Sequence, residues 1–466
     1  MIDDNTGSRV IEDVRTAARA LPPGSRLPSV RELMARHRAS PVTVQRAIAR
    51  LAQEGLVVPR PGRGTFVAER PAVANVPDLS WQAVALGARR GDSEGLDELL
   101  ELPPPGAIPL STGYLHRDLQ PLAAVGAALG RAARRAGAWD RGPVAGREEL
   151  RAWFARETGG GFGAHDMVVC PGGQSALATA FRALATPGEP VLVEAPTYIG
   201  ALAAARAAGL RVVPVPTDGD GIRPALLAEA FERSGARLLY AQPTFANPHG
   251  ATLSPGRRAT VLDVVATAGA FLVEDDWARD LAIDGEPPPP LAAADRHGHV
   301  VYIRSLSKSA APGLRVAAVG ARGAAGERLR SARIIDDFFV AGPLQEAALE
   351  LVASPAWRRH LRALRAALRE RRDALATATA RDLPGLRLTS LAAGGLHLWF
   401  ELPARADDLA IAARARAGGV IVSPGRPWFA AEPPGPHVRL SFSGADPAQL
   451  AEGVRRLARA APELAG

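Results

Sequence analysis

The chain has 466 residues, 47% hydrophobic and 22% charged, enough for two to four domains with sizeable cores. No apolar run is long enough to span a bilayer, the start Met1-Ile2-Asp3-Asp4-Asn5 lacks a signal-peptide core, and the single cysteine, Cys170, excludes an intramolecular disulfide, so a cytoplasmic protein is expected. The net charge is +8, and residues 1–70, with 12 Arg against 7 Asp and Glu, hold +5 of it, which points to a polyanionic partner such as DNA as readily as to a general arginine bias.

Residues 8–20 read as a first helix, stopped by Leu21-Pro22-Pro23-Gly24. Ser29 with Glu32 three residues later is a capping box and starts a second helix at Val30. Ser40-Pro41 repeats the start signal, and Val44, Ala47, Ile48 and Leu51 then form one apolar stripe. Thr43, Gln45, Arg46 and Arg50 lie off that stripe, and Gly55 ends the helix. Leu56-Val57-Val58 and Thr65-Phe66-Val67 read as strands flanking a basic tip, Pro59 to Gly64. Three helices and a two-stranded wing make a winged helix-turn-helix. Its third helix offers Thr43, Gln45 and Arg46 to a major groove, and the wing offers Arg60 and Arg63 to phosphate or minor groove. Arg31 and Ser40 complete the expected DNA-facing set. A winged helix that binds protein is the competing reading. The stretch RLPSVRELMARHRASPVTVQRAIARLAQEGLVVPRPGRGTFV resembles the DNA-binding domain of GntR-family bacterial regulators over roughly residues 8–68, which implies a double-stranded DNA operator as partner and a domain at 1–68. Pro41 departs from the family, which often has arginine after the serine that opens this helix, so one family contact is missing.

Residues 69–110 carry Pro71, Pro77, Pro103-Pro104-Pro105 and Pro109, with short helices possible over Ser80–Arg90 and Gly95–Glu101. This reads as a semi-rigid spacer that lets the DNA-binding heads move relative to the body.

Beyond residue 120 strands and helices alternate. Strands are expected at Met167–Cys170, Pro190–Glu194, Arg211–Val215, Arg237–Ala241, Phe271–Glu274, Val300–Ile303 and Leu314–Val319, and helices at Gln174–Ala185 and Leu202–Ala208. The pattern predicts a parallel-rich α/β sheet covered by helices, with ligands beyond the carboxyl ends of its strands. Those ends carry Pro171-Gly172-Gly173-Gln174-Ser175, then Glu194-Ala195-Pro196-Thr197-Tyr198, then Gln242 to Gly250, then Glu274-Asp275-Asp276-Trp277, then Ser305-Leu306-Ser307-Lys308 with Arg315 seven residues on. Singly, each has a bland reading as a tight turn, a solvated carboxylate pair or a serine-rich loop. Lys308 is the only lysine among 56 basic residues, and arginine cannot be deprotonated to act as an amine nucleophile.

In this order the segments resemble the fold type I aminotransferases over about residues 110–466. The fold this implies is a large, mostly parallel sheet domain with a smaller C-terminal α+β domain, about 340–466, inside a body at 111–466. The implied cofactor is pyridoxal 5′-phosphate (PLP), and no metal site is expected. The resemblance makes Lys308 the catalytic Schiff-base lysine and Asp275 the partner of the pyridine nitrogen. It places Asn247 on the ring oxygen, Tyr198 on the ring face, and Gly173, Gln174, Ser305, Ser307 and Arg315 on the phosphate. Val438-Arg439-Leu440-Ser441-Phe442 matches the strand whose arginine takes the substrate α-carboxylate, a role that suits the fork of Arg439. Two departures stand out. Trp277 occupies the place of a tyrosine that bonds the ring oxygen and can only donate there, and Asn247-Pro248-His249-Gly250 replaces Asn-Pro-Thr-Gly, with His249 read as a turn residue.

Both halves together resemble the MocR subfamily of GntR regulators. This implies a PLP-dependent transcriptional regulator that senses an amine or amino-acid effector and works as a homodimer. A working aminotransferase with an accessory DNA-binding head is the alternative. A cofactor-free remnant is a third reading, against which Lys308, Asp275 and Arg315 stand.

Overall fold

The computed structural model describes residues 3–69, 78–86 and 95–465. The chain falls into two compact units, residues 1–88 and 89–466.

The smaller unit contains α1 (Asp3–Ala20), α2 (Val30–His37), α3 (Pro41–Gln53) and the antiparallel strands β1 (Val57–Arg60) and β2 (Gly64–Val67). Helix α1 begins five residues before the expected Ser8. Both predicted caps form. Glu32 N donates to Ser29 Oγ at 3.2 Å while Ser29 N donates to the Glu32 carboxylate at 2.7 Å, and Thr43 N donates to Ser40 Oγ at 3.2 Å. The α3 stripe of Val44, Ala47, Ile48 and Leu51 is buried against Val10 and Val14 of α1 and Leu33 of α2. The strands run further into the wing tip than expected, because Arg60 pairs with Gly64 and the turn is confined to residues 61–63. A six-residue helix, α4 (Trp81–Leu86), occupies part of the stretch predicted over Ser80–Arg90. The rest of that prediction, with Pro71 and Pro77, lies outside the described residues.

The larger unit is built on β3 (Met167–Cys170), β4 (Pro190–Ala195), β5 (Arg211–Asp218), β6 (Gly221–Ile222), β7 (Leu238–Ala241), β8 (Phe271–Asp275), β9 (Val300–Ser305) and β10 (Ala317–Gly320). They form one sheet in the order β3-β10-β9-β8-β7-β4-β5-β6. Pairs β9–β8, β8–β7, β7–β4 and β4–β5 are parallel; β10 runs antiparallel between β9 and β3. Alternate residues feed two different cores: Val300 and Tyr302 of β9 enter one, Val301 and Ile303 the other. Burial on both faces explains why these strands read as near-continuous apolar runs. The strand predicted over Leu314–Val319 begins instead as a 3-10 turn, Pro312–Leu314, followed by Arg315 at φ 48°, and pairing starts only at Ala317.

A second sheet, antiparallel, joins β11 (Arg387–Leu388), β12 (His397–Glu401), β14 (His437–Ser441) and β13 (Ser423–Pro424) in that order. The 28-residue helix α7 (Pro355–Asp382) and α8 (Pro447–Ala460) pack over its core. Residues 95–110, inside the stretch read as a spacer, are packed on this unit. Helix α5 (Leu96–Leu100) lays Leu96 and Leu99 on Ile199, Trp399 and Trp428, and Ile108–Pro109 pairs in parallel with Val420–Ile421.

Candidate cofactor and nucleic-acid sites

The sequence-predicted residues Gly173, Gln174, Tyr198, Asn247, Asp275, Trp277, Ser305, Ser307, Lys308, Arg315 and Arg439 line one cavity of about 820 Å³ including its mouth. Most stand where the chain leaves the carboxyl ends of β3, β4, β7, β8 and β9.

Lys308 Nζ donates to Gly113 O at 2.8 Å and lies 3.8 Å above the centre of the Tyr114 ring. Burial, reinforced by the charge of Arg439, lowers its pKa to about 7; the Asp275 carboxylate works against this. Asp275 Oδ2 accepts from Tyr240 Oη at 2.8 Å and from Gln242 Nε2 at 2.9 Å. Burial raises the Asp275 pKa to about 6, and the bonds from Gln242 and Tyr240 restrain the rise. Gln242 is locked in turn, since its backbone N–H donates to Glu194 and its side-chain oxygen accepts from Asn247 N at 2.9 Å.

Asn247 Oδ1 accepts from Arg439 Nη1 at 3.0 Å, which leaves its amide N–H₂ as the free donor. Arg439 is fully buried. It donates also to Ser111 O, its guanidinium lies 4.2 Å from the Trp428 ring centre, and its Nε has no partner. Burial lowers its pKa to about 9, with Tyr198 opposing.

The polar end of the cavity is formed by the turn into helix α6 (Gly173–Leu184) and by β9's exit. No side chain caps α6, so its first N–H groups are free for an anion. Arg315 reaches across to donate to Pro171 O at 2.8 Å. Gly172 has φ 103°, a backbone region that needs glycine, and a Cβ there would sit 2.4 Å from the Arg315 guanidinium, which would have to move aside. Ser307 Oγ and Gln174 Oε1 are buried without a partner, while Gln174 Nε2 donates to Gly200 O at 2.8 Å. Ser305 Oγ accepts from Ser307 N at 3.2 Å.

Trp277 corrects one expectation. Its indole N–H donates to Phe245 O at 3.2 Å, so it presents a ring to the cavity and no donor. That ring stacks on His397, centroids 5.8 Å apart. His249 accepts from Ala251 N at 3.3 Å, within its turn. Sequence reasoning missed Leu99, Leu100, Gly113, Tyr114, Gln242 and His397, all of which line the cavity, and Tyr240 behind it. Gln242 opens the quoted segment that runs to Gly250 but was given no role there, and the others carry no local signal.

In the smaller unit Arg31, Ser40, Gln45, Arg46, Arg60 and Arg63 are exposed and Thr43 is half-buried. Arg15, Arg36 and Arg50 are ion-paired. Among the described residues Arg31, Arg46 and Arg63 have no hydrogen bond or ion pair, and Arg60 lies over the Phe66 ring at 4.9 Å. The Ser40 hydroxyl is engaged by Thr43 N and by the Thr43 hydroxyl at 2.9 Å, so Ser40 acts first as a cap.

Residues 114–457 match the family model described as aminotransferase class I and II, and residues 7–67 that of the gntR family of bacterial regulatory proteins. The chain is 27% identical over 453 residues to the HTH-type transcriptional regulator YdfD of Bacillus subtilis, covering 95% of this chain and 93% of that one. It is 33% identical to the 2-aminoadipate transaminase of Thermus thermophilus, covering 82% and 97%. The structure of LysN, the α-aminoadipate aminotransferase of Thermus thermophilus in complex with N-(5′-phosphopyridoxyl)-L-leucine, superposes with a TM-score of 0.75 at 31% identity, over 83% of this chain and 99% of that one.

Proposed function

This chain belongs to the aminotransferase class I and II family and carries a gntR-type helix-turn-helix head in the MocR arrangement, and from that premise we propose that it is a transcriptional regulator whose body senses an amine or amino acid. The cofactor of the body is PLP. The cavity fits it: the buried, unpartnered Ser307 Oγ, the uncapped start of α6 and the cradle at Gly172 suit a phosphate. When bound, PLP supplies an aldehyde that condenses with primary amines and a ring that withdraws electrons.

In this reading Lys308 carries the cofactor and Asp275, held by Tyr240 and Gln242, keeps the proton on the ring nitrogen. Asn247, its oxygen occupied by Arg439, turns its N–H₂ to the ring oxygen. Tyr198 covers the ring, and Gly173, Gln174, Ser305, Ser307 and Arg315 hold the phosphate. Arg439 keeps its Nε for an incoming carboxylate. An incoming amine would leave Lys308 free to move, and that movement would be the signal to the DNA-binding heads of a homodimer.

The observation that carries the reading is that Arg31, Arg46 and Arg63 of the winged helix, exposed and without a hydrogen bond or ion pair among the described residues, share a chain with a cavity lined by the whole expected cofactor set. The test has two parts. Borohydride reduction of the purified protein followed by peptide mapping should label Lys308. Duplexes selected from a random DNA pool should then change affinity when amino acids are added. Amine binding with unchanged DNA affinity would sink the sensor. The completeness of the cavity favours one alternative, a working transaminase with an accessory head. Steady turnover of an amino donor and a keto acid, indifferent to DNA, would select it.

A further inference from the structure

We infer that Tyr114 is a positioning residue of the cofactor site: the face of its ring, beside the Gly113 carbonyl, is the berth that holds the ε-amino group of Lys308 whenever that group is not joined to the cofactor. This rests on the amine-sensing reading above and names where the lysine goes when an amine takes its place.

The geometry is direct. Lys308 Nζ lies 3.8 Å from the centre of the Tyr114 ring and donates to Gly113 O at 2.8 Å. A ring face is electron-rich and attracts an ammonium, most strongly where water is kept away. The carbonyl accepts from the same nitrogen, so two adjacent residues serve one amine. Of the charged groups that face Lys308, Arg439 and Arg315 oppose a charge on it and Asp275 supports it. Asp275 is also the group assigned to the ring nitrogen of the cofactor, and its Oδ2 accepts from Tyr240 and Gln242. With that carboxylate shared, the ring and the carbonyl add to the support of a lysine that has left the cofactor and regained its proton.

The berth is firmly mounted. Ser441 N donates to Leu110 O at 2.6 Å, Arg439 donates to Ser111 O, and His397 Nε2 donates to Thr112 O at 3.2 Å. Ser443 Oγ donates to Tyr114 O at 2.9 Å, and His116 N donates to Ser443 O at 2.7 Å. These partners stand in β12, in β14 or just past β14, whereas Lys308 follows β9 of the large sheet. The contact of the free lysine with Gly113 and Tyr114 therefore ties the large sheet to a segment mounted on the second one.

The test uses the full chain, PLP-loaded and stripped, with two variants. Tyr114→Leu removes the ring and keeps an apolar side chain; Tyr114→Phe keeps the ring and drops the hydroxyl. Loaded protein is equilibrated with 2-methylalanine, which lacks the α-hydrogen that transamination needs, and is then reduced with borohydride. Mass spectrometry gives the share of cofactor still fixed to Lys308. The 2-methylalanine concentration that removes half of it should rise about three- to thirtyfold in Tyr114→Leu and stay within about twofold of wild type in Tyr114→Phe. In the stripped protein, the pH midpoint of PLP uptake by stopped-flow absorbance should fall by about 0.5 to 1.5 units in Tyr114→Leu and hold in Tyr114→Phe, because a ring that favours the ammonium keeps the lysine protonated to higher pH. Rescue by phenylalanine separates the ring from a damaged fold. Tyr114→Leu with a wild-type midpoint, a wild-type displacement curve, or a defect shared by Tyr114→Phe would overturn the berth. A midpoint that moves as expected while 2-methylalanine, L-alanine and methylamine all leave wild-type Lys308 fixed would uphold the berth and sink amine sensing.

Discussion

The lysine at position 308 has a protonation state that the fold sets. In the cofactor-free protein its pKa is lowered to about 7, against about 10.4 for a free lysine side chain. The neutral amine is the form that condenses with an aldehyde, and it predominates above the lowered pKa. PLP uptake by the stripped protein should therefore speed up with rising pH and level off just above 7. Stopped-flow absorbance checks this, and a rate still climbing at pH 9 would contradict it. Lys308→Arg should load no borohydride-fixed cofactor, because the guanidinium stays protonated. Gly172→Ala must place a methyl where the Arg315 guanidinium lies, in a backbone region that costs about 1–3 kcal/mol, so cofactor affinity should fall by roughly five- to 150-fold. Legibility at this scale follows locality. Lys308, Asp275 and Asn247 sit in short motifs at strand ends, and the order of those motifs carries the family resemblance that picks them out. Gly113 and Tyr114 reach Lys308 across 195 and 194 positions, and His397 comes from another sheet, so only the fold brings them in.

Helices α2 and α3 show how far element starts follow from a few residues. Ser29, Glu32 and Ser40 mark both starts, and the hydrogen bonds of both caps are made. Ser40→Ala should cost the head about 1 kcal/mol in thermal unfolding. Arg46 on α3 has no partner among the described residues, so Arg46→Ala should leave stability unchanged. It should also flatten the logarithmic salt dependence of DNA binding by about 1, as expected for a lost phosphate contact. The misread element is equally instructive. Leu314–Val319 has the composition of a strand, yet Pro312 and the left-handed Arg315 delay pairing to Ala317 so that the guanidinium can reach Pro171. A site requirement there outweighs strand propensity. Residues 95–110 read as spacer because prolines dominate them; Leu96, Leu99 and Ile108 nonetheless find partners 100 to 330 positions away, and the local sequence does not show this.

At the scale of the whole molecule, Ile335 at 84% exposure lies in the last turn of the helix Gly323–Asp337, and Phe338 at 69% follows its end at φ 62°, with Ile334 and Phe339 beside them. Large apolar side chains grouped in this way mark an association surface. The homodimer proposed above should cover them and supply two heads for two half-sites. Sedimentation should give a dimer, and Ile335→Asp combined with Phe338→Asp should shift it toward monomer. The selected DNA duplexes should contain paired half-sites. Among the described residues no helix is long and apolar enough to cross a membrane.

The solitary lysine has one more consequence. A reactive aldehyde entering this protein finds a single ε-amine, with only the α-amino group to compete. Bound carbonyl reagent therefore counts competent sites directly, with no background from surface lysines. The cofactor serves as its own stain, and the fraction of stained protein measures how many molecules carry it.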